Sequence, residues 1–219
     1  MCEKDKRRRE QARQLMSALG VQSVDELLRL AADESRSIED LRQICSIFGL
    51  LRVQSAIPRL IYLLNKEETT QSAAIGLGLI RSRIATRRLL QLVNAAKSET
   101  VRRAAISALG MLKDPRSDAL MCHVLLHSLD EDTRRVAACA LTGGRPRRRT
   151  TVVLIEALTD ESAAVRWQVL SALGTSNDRS VTGIVQEYLL DHSIVARLPE
   201  DENTVSWAAR NALNCLGCQ

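Results

Sequence analysis

The chain has 219 residues, 45% of them apolar, with a formal charge of +5 and a pI of about 9.1. Only five residues are aromatic (Phe48, Tyr62, Trp167, Tyr188 and Trp207), and four prolines and ten glycines interrupt the sequence. Leu and Ala dominate the apolar set, a composition that suits closely packed helices and predicts an all-α chain rather than a sheet protein. No apolar run approaches the ~18 residues of a membrane-spanning helix, so membrane insertion is not expected. The six cysteines are scattered, and several lie in apolar stretches. They read as reduced, mostly buried thiols and predict a cytoplasmic location.

In chain order, the start Met1-Cys2-Glu3-Lys4-Asp5-Lys6-Arg7-Arg8-Arg9 is polar and has no signal-peptide apolar core. Residues 1–10 are predicted to be a basic N-terminal extension, a frayed helix whose charge is diluted by Glu3, Asp5 and Glu10. A recurring helical segment follows. Residues 11–19 carry it weakly, and it returns at 40–48, 70–78, 101–109, 133–141, 165–173 and 205–213. The landmarks 19, 48, 78, 109, 141, 173 and 213 are spaced by 29, 30, 31, 32, 32 and 40 residues. Each segment places apolar or small residues at offsets 0, 3, 4, 7 and 8, one stripe of an α-helix.

Gly20, Gly49, Gly110 and Gly174 follow the last apolar residue and are expected to end the helices. A second apolar helix comes after each turn, as at residues 57–64, 152–158 and 181–190, with Pro58 in a first turn. The unit is a helix–turn–helix of about 30 residues that cannot bury its apolar face alone, so neighbours must stack. The prediction is a single repeat domain over 1–219 with about seven such units. An acidic insertion at 195–203, holding Glu200, Asp201 and Glu202, precedes the last one.

Val101-Arg-Arg-Ala-Ala-Ile-Ser-Ala-Leu109-Gly110 aligns without gaps on Val165-Arg-Trp-Gln-Val-Leu-Ser-Ala-Leu173-Gly174. With a preceding acid, a following Asp114-Pro115 and a second Leu-rich helix, this pattern resembles the short HEAT repeats named after phycobilisome lyases. The resemblance covers nearly the whole chain and is strongest over residues 99–190. It implies a right-handed α-solenoid. It also implies a stacked ladder in which Arg102, Arg134 and Arg166 meet acids such as Glu99, Asp132 and Asp160. Proteins of this kind include scaffolds, adaptors, bilin lyases and a few enzymes, so the resemblance specifies the fold more closely than the function.

Two features fall outside the ladder. Residues 133–149 hold six arginines, Arg134, Arg135, Arg145, Arg147, Arg148 and Arg149, and no acid. Residues 81–103 add six more arginines and Lys97 against Glu99 alone. Stacked repeats could gather these into a basic strip for phosphates or an acidic partner, or leave them as a solvated face. Trp167 and Trp207 share offset 2 with Arg42, Ser72, Arg103 and Arg135. That offset lies about 200° around the helix from the first apolar position, so it predicts a ridge running from Arg to Trp. Such a ridge has an interface composition, although the 198–203 segment could instead cover the tryptophans.

His123 and His127 lie four apart, but alignment of His123 with Leu60 and Ile155 predicts a satisfied, partly buried histidine. Cys215-Leu-Gly-Cys218 stands without a second pair and reads as incidental. The sequence has no Gly-rich phosphate loop, no nucleophile elbow and no nucleophile–base pairing. Catalytic, cofactor and metal residues are therefore not assigned, and an enzyme is not expected. The expected function is a scaffold or adaptor that binds a protein partner. Candidate contacts are Trp167, Trp207, Arg103, Arg135, Arg145, Arg147, Arg148 and Arg149. Nucleic-acid binding is the alternative, since HEAT-like repeats also build the alkylpurine DNA glycosylases, whose aromatic-rich, carboxylate-bearing site is not recognisable here. A bilin lyase or lyase partner subunit is suggested by repeat type only.

Overall fold

Side chains dominated by Leu and Ala at helical spacing produce helices throughout. The computed structural model describes residues 3–142, 148–196 and 198–217. The helices fall into two compact units, Met1–Asp114 and Pro115–Gln219. The first holds α1 (Glu3–Ala18), α2 (Val24–Ala32), α3 (Ile38–Leu51), α4 (Ile57–Leu63), α5 (Thr70–Ile80), α6 (Thr86–Ala95) and α7 (Glu99–Leu112). The second holds α8 (Asp118–His127), α9 (Glu131–Ala140), α10 (Arg148–Glu156), α11 (Ala163–Gly174), α12 (Thr182–Glu187) and α13 (Val205–Cys215). The basic N-terminal residues are thus the opening turns of α1, which begins at Glu3.

In the first unit α1, α3, α5 and α7 pack side by side in that order, with α4 against α5 and α6 against α7. In the second, α9, α11 and α13 form the matching row, and α8 packs on both α9 and α10. The predicted stripe is the buried one. Ala104, Ala105, Ala108 and Leu109 of α7, and Val165, Val169, Ala172 and Leu173 of α11, are all at most 7% exposed. The same stripe in α13, Val205, Ala208, Ala209, Ala212 and Leu213, is buried too. That helix has no second helix after it among the described residues.

The glycines do a different job from the one predicted. Gly20 does adopt the left-handed conformation, with φ of +69°. Gly49, Gly110 and Gly174 instead lie buried inside their helices. A Cβ on Gly174 would sit 2.6 Å from Ala212 Cα, and one on Gly49 would sit 3.0 Å from Gly76 Cα. At Gly49 and Gly174 glycine lets neighbouring first helices touch backbone to backbone.

The left-handed turn falls a few residues later, at Arg52 (φ 54°), Arg81 (φ 61°), Lys113 (φ 49°) and Asn177 (φ 59°). At Arg52 the turn closes with Arg52 N–H donating to Gly49 O at 3.1 Å and Val53 N–H donating to Phe48 O at 2.9 Å. This is the double-bonded helix ending in which glycine is normally favoured. A cation there sits well against the negative helix end.

Polar side chains join consecutive hairpins. Thr86 Oγ1 donates to Asp114 Oδ2 at 2.8 Å in a buried bond, which gives the Asp-Pro turn an acceptor role toward the preceding repeat. Arg42 Nε reaches Glu68 O at 2.8 Å, and Tyr188 OH reaches Leu158 O at 3.0 Å. Arg59 spans from α4 back to Ala31 O and Glu34. Lys66 also pairs with Glu34.

These packing assignments predict opposite outcomes for two substitutions. Gly174→Ala places a methyl group against Ala212 and should lower the unfolding free energy by about 1–3 kcal/mol. Arg52→Gly relieves a left-handed non-glycine residue and should raise it by about 1 kcal/mol. Urea unfolding of the two variants beside the parent chain measures both signs.

Candidate interaction site

An arginine at offset 1 of a first helix can reach the loop that follows its own hairpin and leads into the next repeat, and this contact recurs in the second unit. Arg134, on α9, donates from Nε to Asp160 Oδ2 at 2.7 Å and from Nη2 to Asp160 Oδ1 at 3.0 Å. Its Nη1 donates to Ser128 O at 3.0 Å. The two side chains are only 9% and 10% exposed. Asp160 Oδ1 also accepts from Ser162 N–H at 2.8 Å, so the carboxylate fixes its own turn as well. Hydrogen bonding to Asp160 holds the Arg134 guanidinium above its ordinary pKa.

The pattern repeats one unit on. Arg166 Nε donates to Asp191 Oδ2 at 2.9 Å, Nη1 to Asp160 O at 2.8 Å and Nη2 to Ser193 Oγ at 3.0 Å. At Arg134 and Arg166 the predicted ladder is present, with Asp160 and Asp191 as the cross-repeat acids. Asp132 pairs with Arg135 instead, at 3.2 Å, and Arg102 pairs with Glu99 on its own helix.

Residue 191 lies just ahead of the 195–203 insertion, whose ends are joined by an isolated antiparallel bridge from Ile194 to Thr204. Val195 N–H donates to Asn203 O at 2.6 Å, and Val205 N–H donates to Ser193 O at 3.1 Å. A turn between them is closed by Glu202 N–H on Pro199 O at 2.9 Å. The tip is pinned by Trp167, whose Nε1–H donates to Glu202 O at 3.1 Å. Trp167 in turn lies parallel to Trp207, with ring centroids 6.0 Å apart and planes 1° apart. Adjacent residues Arg166 and Trp167 thus hold the base and the tip of the insertion. Both tryptophans remain half-buried.

Between the insertion and the first turns of α9 and α11 runs an open groove of about 690 Å³. Trp167 forms part of its lining, with Ile194, Val195 and Leu198 contributing apolar surface from the insertion. Asp130, Glu131, Asp132 and Arg135 of the α9 end contribute charge, while Ser162 and Gln168 complete the α11 side. Ile194 is 70% exposed. The insertion therefore covers part of the Trp pair and builds one wall of a groove beside it.

The remaining candidates fall in both units. Arg103 is half-buried on α7 in the first unit, and Arg148 and Arg149 are exposed in the first turn of α10. Arg145 and Arg147 lie outside the described residues. The basic stretches 81–103 and 133–149 belong to different compact units.

His123 and His127 correct the expectation of a partly buried histidine, since both are exposed with ring centroids 4.7 Å apart. The register explains it. Met121 takes the buried place that Leu60 and Leu154 hold, two residues before His123. No group of three His, Cys, Asp or Glu able to hold a metal occurs among the described residues. Of the four described cysteines only Cys45 is buried, and burial pushes its thiol up to about 12. Cys139 and Cys215 are exposed, against the expectation of mostly buried thiols, and Cys218 lies outside the described residues. Among the described residues no helix is long and apolar enough to cross a membrane.

Stacked helical hairpins with arginine–aspartate links between repeats define a tandem helical-repeat protein. A family model described as HEAT repeats matches residues 57–142 and 119–214. The chain belongs to the HEAT-repeat family and has its all-α, solenoid-type fold. Repeats of this family generally mediate protein interactions or scaffolding. A search of curated proteins finds no match to the chain.

Asp191 gives the site a pH dependence. Burial pushes its carboxyl up, but hydrogen bonds from Ser193 and Arg166 outweigh burial and hold it below the ordinary 3.8. A depressed folded-state pKa contributes stability that is present above the unfolded value and lost as pH falls through the folded one. Asp191→Asn should therefore cost about 1–3 kcal/mol at neutral pH. It should also flatten the loss of stability below pH 3.8. Urea unfolding across that range, followed by tryptophan fluorescence, reads both effects because Trp167 and Trp207 are the only tryptophans.

Proposed function

We propose that the chain is a non-enzymatic scaffold or adaptor that holds a protein partner, with the Trp167 groove as its principal contact. The observation that carries this is a half-buried tryptophan, fixed by Glu202 O and Trp207, in the lining of an open groove with an apolar wall and a charged one. Interface hot spots are enriched in Trp and Arg held in partly desolvated surroundings. Trp167 and Arg135 meet that description within one groove.

Immobilised parent chain and its Trp167→Ala and Arg135→Ala variants test the proposal by partner recovery from native extract. Circular dichroism confirms that each variant is folded. Recovery should fall at least about tenfold with Trp167→Ala, as a hot-spot loss near 2 kcal/mol requires. Equal recovery by folded variants contradicts the groove.

A second reading, nucleic-acid binding, is supported by Arg81, Arg83, Arg87 and Arg88, all exposed within eight residues that contain no acid. Phosphate contacts of this kind weaken steeply with salt. A gel-shift titration with duplex and single-stranded oligonucleotides at two salt concentrations should show a shift that added salt abolishes. No shift at low salt removes this reading.

A further inference from the structure

Two neighbouring hairpin turns of the first unit carry positive charge that nothing beside them balances. Arg52 and Arg81 end α3 and α5 in the left-handed conformation, and both are exposed. Gln54 Nε2, in the turn after α3, donates to Ile80 O at 3.5 Å, so the two turns lie side by side. Arg83 belongs to the second turn, and Arg87 and Arg88 occupy the first turn of α6. All five arginines are exposed, and residues 41–66 and 69–98 contain no acid. Asp114, one turn further on, is 3% exposed and accepts from Thr86.

Elsewhere the chain pairs its arginines. Arg42, Arg59, Arg102, Arg134 and Arg166 each lie within 3.7 Å of a carboxylate. Arg52, Arg81, Arg87 and Arg88 pair with no carboxylate among the described residues. Local structure accounts for only part of this charge. Arg52 and Arg81 face the negative ends of their helices, although glycine suits that backbone better. Arg87 and Arg88 have no such compensation, because cations in a first turn oppose the positive helix end.

Magnitudes decide what such a surface holds. An exposed arginine gains little from a single peptide carboxylate, since water already solvates both groups. A nucleic-acid duplex carries a charge every ~1.7 Å of its axis under a condensed counterion layer. Each phosphate contact releases counterions, so unpaired exposed cations gain affinity there without a pocket. Neither turn has an aromatic side chain on which an unpaired base could stack, which favours a duplex over a single strand. Reading a base edge needs a guanidinium held in place, and no hydrogen bond among the described residues holds those of Arg52, Arg81 and Arg87.

We infer that the adjoining turns after α3 and α5, with the start of α6, hold the sugar–phosphate backbone of a nucleic-acid duplex without reading its sequence. The inference rests on the nucleic-acid reading above. It adds to that reading the duplex form, the backbone contact and Arg52 of the neighbouring repeat.

Fluorescence anisotropy with two labelled duplexes of unrelated sequence, titrated with the intact chain over a salt series, tests it. Arg52→Gly and Arg81→Gly each remove a charge where glycine adopts the backbone more readily, so a loss of binding reports charge rather than unfolding. Each should weaken both duplexes alike, about fivefold or more at ~0.1 M salt, and lower the salt slope by about 0.9. Unchanged binding by these two variants, with loss in Arg87→Ala/Arg88→Ala, overturns the paired-turn site and leaves the nucleic-acid reading standing. A large preference for one sequence overturns the backbone contact. Competition by polyglutamate as strong as by unlabelled duplex overturns nucleic acid as the occupant. If neither duplex binds at low salt, the inference and the nucleic-acid reading fail together.

Discussion

A hairpin of about 30 residues has too little surface to enclose its own apolar stripe, so each repeat is completed by the next. That constraint governs this chain. It drives the first helices so close together that no Cβ fits between Gly174 and Ala212 or between Gly49 and Gly76. It explains why Ala recurs at offsets 4 and 7, where a larger side chain would hold the rows apart. Backbone contact also fixes the helices in register, and that register decides which side chains project to the outside. The offset-2 positions on which Arg135, Trp167 and Trp207 sit are set by this packing rather than by any local property of those residues.

Polar contacts then convert a stack into a site. Arg134 and Arg166 each cross from one repeat to the loop of the next, where an Asp followed two residues later by Ser forms both a turn and a carboxylate fork. A buried pair of this kind is weak evidence for net stability, since desolvation offsets much of the attraction, but it strongly specifies geometry. Here the geometry specified is that of the insertion. Arg166 holds the residues just ahead of it while the neighbouring Trp167 bonds its far end at Glu202. The element that holds the repeats together is thus continuous with the element that builds the groove wall.

Much of this was legible in the residues. The recurring Val-Arg-x-x-Ala-x-x-Ala-Leu segment located every first helix, and the displaced last landmark located the insertion. Roles that depend on a neighbour were harder to read. Gly49 and Gly174 look like helix terminators because glycine usually serves there, yet their purpose lies in the helix alongside. The true terminators, Arg52, Arg81 and Lys113, carry no local mark of positive φ. Arg134 finds its acid 26 residues downstream instead of in the turn just before it, a choice set by the stacking distance. His123 was misplaced by a two-residue slip of the second helix, since second helices here carry few periodic residues to fix their register. The groove could not be read at all, because its wall is a backbone hairpin whose position depends on Trp167 and Arg166 together.

The central claim is that an arginine of one repeat and an aspartate of the next act as a unit in the second compact unit. A double-mutant cycle on Arg134→Ala and Asp160→Ala, followed by tryptophan fluorescence during urea unfolding, measures that coupling directly. The account predicts a coupling of about 2–3 kcal/mol, with the double variant far less destabilised than the sum of the singles. Additivity to within about 0.5 kcal/mol would contradict it.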